Sequence, residues 1–99
     1  MHGRIVSVQV KPEDLGKAVG VYRDSVIPAA KEQKGFHDAL LFTDSATGRA
    51  VSITIWETEE DLLAGQASGY YQEQIAKFAE LMIRTPEQEG YELVYTSRM

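Results

Sequence analysis

A chain of 99 residues with a net charge of −5 has room for one domain and lacks the basic surface a nucleic-acid binder needs. Hydrophobic residues at 43% and charged residues at 25% describe an ordinary globular protein. The absence of cysteine excludes disulfides, thiolate metal sites and a cysteine nucleophile, and apolar runs such as Ala39-Leu40-Leu41-Phe42 fall far short of the roughly 20 residues of a membrane span.

The N-terminus leads directly into Arg4-Ile5-Val6-Ser7-Val8 without a signal-peptide layout, so a cytoplasmic location and no membrane partner are expected. A first strand is predicted from about Arg4 to Val10, with Val6, Val8 and Val10 on one face and Ile5, Ser7 and Gln9 on the other. Lys11-Pro12 ends it, because proline donates no ladder hydrogen bond and suits the first turn of a helix. From Glu13 the apolar positions Leu15, Ala18, Val19, Tyr22 and Val26 recur at helical spacing. Pro28 removes a backbone bond to Asp24, which predicts a bend or restart, and Lys34-Gly35 supplies a stop.

Phe36 to Thr43 reads as a second strand, joined through Asp44-Ser45-Ala46-Thr47-Gly48 to a third over Arg49 to Glu57. At Ile53 to Leu62 a period of two gives way to a helix start within three residues. Thr58 is the expected N-cap, with Glu59, Glu60 and Asp61 in the first turn, where carboxylates suit the helix dipole. That helix should run to about Gln66 and be interrupted at Ser68-Gly69. A second segment follows, with Tyr71, Ile75, Phe78, Ala79 and Met82 as its buried stripe. Arg84-Thr85-Pro86 ends it, and Tyr91 to Ser97 alternates as a last strand.

The succession β-α-β-β-α-β predicts an α+β, ferredoxin-like domain over residues 1–99: a four-stranded antiparallel sheet with the helices on one face. The less apolar rows, Ile5, Ser7 and Gln9 with Ser52, Thr54 and Trp56, are assigned to the face away from the helices. Such a face is too apolar for open water, and a second copy would cover it, so a homodimer through the sheet faces is expected.

Lys34-Gly35-Phe36, the run from Ile53 through Trp56-Glu57-Thr58-Glu59-Glu60, and Ser68-Gly69-Tyr70-Tyr71 resemble the antibiotic biosynthesis monooxygenase (ABM) domain family of dimeric α/β barrels. The resemblance extends from about Arg4 to Tyr95. It implies a homodimer whose sheets face each other, with a small-molecule pocket between each sheet and its helices. Family members include cofactor-independent monooxygenases of aromatic phenols, quinol-type monooxygenases and haem-degrading monooxygenases. The haem-degrading branch uses an Asn on strand one and a Trp and a His on the second helical region. This chain has no Asn, Gly65 lies near the Trp position and Ile75 near the His position, which disfavours haem degradation.

Candidate chemistry rests on few residues. His37 has a side chain that titrates near neutrality and is a candidate general base, and Tyr22 is a candidate hydroxyl for a substrate oxygen. Tyr70, Tyr71, Trp56 and Phe78 are candidate pocket-lining residues. For Trp56, anchoring of the sheet face at a dimer interface is the favoured role, and Phe78 fits plain core. Arg23 and Arg84 are candidates for steadying an oxyanion. His2 is expected to lie on a frayed terminus, and the acidic run after Glu57 is read as helix capping rather than a metal site. No cofactor is expected. The leading functional expectation is cofactor-independent monooxygenation of a small apolar or phenol-like compound; the alternative is a non-catalytic binding or structural dimer on the same fold.

Overall fold

The structure, a computed structural model, describes residues 1–98. The strands β1 (His2–Gln9), β2 (Phe36–Asp44), β3 (Arg49–Trp56) and β4 (Glu87–Glu92) form one antiparallel sheet in the order β2-β3-β1-β4. Between β1 and β2 run a 3-10 turn (Pro12–Asp14), α1 (Leu15–Val21), a π-helical turn (Tyr22–Val26) and α2 (Ile27–Lys31); α3 (Glu59–Ser68) and α4 (Tyr70–Ala76) connect β3 to β4. This is the expected ferredoxin-like α+β layering.

Local chemistry explains the boundaries. Thr58 Oγ1 accepts from the Asp61 backbone N–H at 3.1 Å, closing the first turn of α3. Gly69, at φ +86°, ends α3 and lets the chain restart at once as α4. The bend expected at Pro28 takes the form of the π turn: the Ile27 N–H reaches back to the Tyr22 carbonyl, one residue further than an α-helical bond. Proline at 28 has no N–H to give, so the ladder slips just before it.

The face assignment of β3 needs correcting. In the β1–β3 register Arg4 lies opposite Thr54, Val6 opposite Ser52 and Val8 opposite Ala50, so the Ser52, Thr54 and Trp56 row shares a face with Val6, Val8 and Val10. That shared face is the one under the helices, and Trp56 is 2% exposed there. Residues directly opposite in a ladder project to the same side, so the two less apolar rows were never able to coincide. The outer face instead carries Ile5, Val51, Ile53 and Ile55, with Leu40, the 58% exposed Phe42 and the exposed Tyr91 of the flanking strands.

β4 also differs from expectation, forming over Glu87–Glu92 rather than Tyr91 to Ser97. Its antiparallel partner is β1, and Leu93 N–H donates to the Met1 carbonyl at 2.8 Å, the last acceptor that neighbour offers. Among the described residues, those beyond it pair with no strand, despite their alternation. His2 lies within β1, opposite Trp56 and Glu92, rather than on a frayed end. Ala79, placed in the buried stripe, is exposed because α4 stops at Ala76. Among the described residues no helix is long and apolar enough to cross a membrane.

The fully buried Val10 packs with Leu15 and Ala50 where the β2–β3 turn meets the end of β1. Its N–H donates to the Gly48 carbonyl at 3.1 Å, and Gly48 has φ +80°. A Cβ on Gly48 would lie 2.0 Å from the Val10 carbonyl oxygen. Gly48→Ala should therefore destabilise the fold by about 3 kcal/mol, through both the backbone conformation and the clash. Denaturant unfolding measures this, and an unchanged midpoint would contradict the close approach of this turn to β1.

Candidate functional site

The row that β1 and β3 present to the helices forms the floor of a cavity of ≈ 90 Å³. Arg4, Val6 and Val8 come from β1 and Ser52, Thr54 and Trp56 from β3; Ala18, Tyr22 and Val26 form one wall, and Tyr70, Tyr71, Gln74, Ile75 and Phe78 the other. The walls are mostly aliphatic and aromatic. The volume is below the roughly 150 Å³ that admits benzene to an apolar cavity. It is not sealed and opens to the surface.

Five of the eight residues singled out from the sequence meet here: Tyr22, Trp56, Tyr70, Tyr71 and Phe78. The π turn carries Tyr22 over the sheet, where its hydroxyl shares a 2.8 Å hydrogen bond with Ser52 Oγ. Trp56 donates from Nε1 to Thr54 Oγ1 at 3.0 Å and meets Phe36 and Tyr70 edge-on, with ring centroids 5.6 and 6.5 Å away. It is thus part of the cavity floor rather than of an outward-facing sheet surface. Tyr70 and Tyr71 both reach the cavity because Gly69 sets the start of α4 directly beside it.

His37 stands apart. It falls at the bulge between Phe36 and Asp38, where the β2 register slips, and its exposed ring pairs with Glu57 instead of lining the cavity. A bulged residue leaves the alternation of its strand, so His37 does not follow the row of Leu41 onto the floor. The general-base role expected of it has no contact with the cavity. Arg23 and Arg84 are likewise elsewhere: Arg23 pairs with its neighbour Asp24 in solvent, and Arg84 donates to Gln9 at the far end of the sheet.

The cation of the site is Arg4, which was not among the residues expected from the sequence. It is 4% exposed, donates from Nη2 to the Leu62 carbonyl at 2.7 Å, and lies 4.5 Å from the centroid of the Tyr71 ring. Its Nε is buried without a hydrogen-bond partner among the described residues. Burial pushes the guanidinium below its ordinary pKa, though arginine keeps its charge in such surroundings. One signal was present in the sequence: Arg4 is in step with Val6, Val8 and Val10, a charge in an aliphatic row. Ser52 and Gln74 were also missed, the first because serine on a strand is common and the second because a buried Gln on a helix has no pattern of its own.

Burial raises the pKa of the Tyr22 phenol, opposed in part by the Ser52 hydrogen bond; burial likewise raises Tyr70 and Tyr71, opposed by the nearby Arg4. A phenol raised in the folded state contributes stability that is intact below the ordinary value of about 10 and lost above it, because the unfolded chain releases its proton first. Wild-type stability should therefore fall more steeply above pH of about 10 than that of a Tyr22→Phe, Tyr70→Phe variant. Denaturation midpoints across that range measure the difference, and parallel curves would contradict the burial of these hydroxyls.

Residues 1–77 match the family model described as antibiotic biosynthesis monooxygenase. The uncharacterized protein Rv2557 of Mycobacterium tuberculosis is 26% identical over 102 residues, an alignment covering 99% of this chain and 43% of that protein. The chain thus spans less than half the length of the curated relatives it matches. Among solved structures, a monooxygenase from the gene ActVA-Orf6 of Streptomyces coelicolor, in complex with nanaomycin D, aligns with a TM-score of 0.80 at 16% identity over 96% of this chain and 88% of that one. Rv0793 from Mycobacterium tuberculosis aligns with a TM-score of 0.73 at 18% identity over 97% of each chain. Identities this low carry the fold alone, whereas the family model covers β1 to β3, the first helical run and the α3–α4 pair that build the cavity: the chain belongs to the antibiotic biosynthesis monooxygenase family.

Proposed function

We propose that this protein is a cofactor-independent monooxygenase acting on a small, electron-rich ring compound of the phenol, quinol or anthrone type. The observation that carries the reading is a largely apolar cavity under the helices, with the Tyr22–Ser52 hydroxyl pair and two further tyrosines in its walls, in a chain of this family. For an anthrone-type ring the reaction balances as one ring methylene plus one dioxygen giving one ring ketone plus one water. Both C–H bonds of the methylene and the O–O bond break, and the carbon supplies all four electrons. One oxygen atom becomes the new carbonyl; the other leaves as water with the two hydrogens. The protein's part is to exclude bulk water, hold the ring, and offer the Tyr22 hydroxyl to the substrate oxygen on which charge builds. A ring placed in the cavity would occupy its mouth as well.

The test is oxygen uptake with a panel of anthrones, quinols and phenols, with no flavin, haem or metal added. Uptake of one dioxygen per ketone formed is expected, and Tyr22→Phe should lower kcat/KM by about 10- to 100-fold. A panel that yields no uptake and no product overturns the oxygenase reading and leaves a binding protein on this fold.

The same reading includes a homodimer formed through the outer sheet faces. Support comes from the contiguous Ile5, Val51, Ile53, Ile55, Leu40 and Phe42, a patch more apolar than the row first assigned to that face. A two-fold contact covers each patch with its own copy. Light scattering at micromolar concentration should give twice 11.0 kDa, and Ile53→Lys together with Phe42→Glu should shift the mass to the monomer. A monomeric wild type overturns the dimer.

A further inference from the structure

We propose that the cavity is built for an organic monoanion: a ring compound with an ionised oxygen, bound with that oxygen on the Arg4 guanidinium. The inference rests on the cavity being the ligand site and deepens that reading by naming the charge its ligand carries.

Removing a guanidinium from water is costly unless charge and donors are matched. Arg4 has no carboxylate within ion-pair distance among the described residues, and its hydrogen bond there is the one from Nη2 to the Leu62 carbonyl. That bond ties β1 to α3, a task a neutral amide could perform. It leaves the positive charge and most of the five guanidinium donors without a use, the buried Nε included. The Tyr71 ring covers one face of the group, which leaves its N–H edges, the part that recognises anionic oxygens, for a ligand. Gly65 keeps the space beside it open: a Cβ there would come within 3.1 Å of the Tyr70 ring and 3.8 Å of Arg4 Nη2.

A second observation points the same way. Among the described residues no carboxylate, imidazole or amine lines the cavity; its lining residues are Arg4 and uncharged side chains. A site that holds a cation and no base is suited to a ligand that arrives ionised rather than one that loses its proton inside. A single anionic oxygen would supply the missing partner of Nε and offset the buried charge.

The anionic oxygen has two sources, an ionised phenol or enol of the ring and a carboxylate attached to it. Three probes of one shape separate them: 4-nitrophenolate, 4-nitrobenzoate and the neutral 4-nitroanisole, titrated at a pH above the phenol's pKa. Wild-type protein should bind at least one anion about tenfold or more tightly than 4-nitroanisole. Whichever anion is preferred identifies the source, and bound phenolate should show a displaced absorption band. Arg4→Met should abolish the preference while leaving 4-nitroanisole binding in place, and Arg4→Lys should restore part of it. If Arg4→Met fails to fold, the wild-type ratio decides. Equal or tighter binding of the neutral probe, a preference that survives in Arg4→Met, or no binding of any probe each overturns the proposal. Oxygen uptake is scored separately: anion preference without uptake removes the oxygenase and keeps the anion site, and uptake with a neutral ring preferred does the reverse.

Discussion

Everything in this molecule follows from the register between β1 and β3, in which Val6 faces Ser52 and Arg4 faces Thr54. Side chains alternate with a period of two, so a slip of one residue in this central pair would turn every row over. The observed register buries Trp56 and gives Ser52 and Thr54 hydrogen-bond partners in Tyr22 and Trp56. It also leaves Ile5, Ile53 and Ile55 outward. Polar groups that find partners inside cost little, while the aliphatic row outside creates the demand for a covering surface. One pairing thus produces both the floor of the cavity and the face that another molecule would cover.

The helices add the chemistry to this floor by two departures from regular geometry. The π turn before Pro28 places the Tyr22 hydroxyl over Ser52. The left-handed Gly69 restarts the chain so that two consecutive tyrosines both reach the cavity, although adjacent helical residues point about 100° apart. The first departure carries Tyr22 and Val26 into the lining, and the second immediately precedes Tyr70 and Tyr71. The buried Arg4 is the energetic counterpart: a cation in an apolar space is costly, and Tyr71 and the Leu62 carbonyl offset part of that cost.

Element order, the α3 cap at Thr58 and the break at Ser68-Gly69 were legible because each is written in local chemistry: period-two strands, a capping hydroxyl, a left-handed glycine. The aromatic members of the site were legible from residue type and helical spacing. What the residues near a position cannot report is which rows share a face, since that depends on the parity of a pairing between residues 40 to 54 apart in sequence. The same limit shifted β4, whose extent is set by where β1 ends rather than by its own alternation, and it hid Arg4, whose burial is decided by Leu62 and Tyr71. His37 lies outside the cavity for a different reason, a bulge that no periodicity anticipates.

Three of the six residues in β4 are glutamates, and that strand forms one border of the sheet with every residue exposed. Two such borders brought together would set carboxylate against carboxylate across an otherwise open backbone ladder. The molecule is thereby guarded against sideways growth of its sheet into a continuous ribbon. The broad aliphatic surface of the outer face carries no such repulsion.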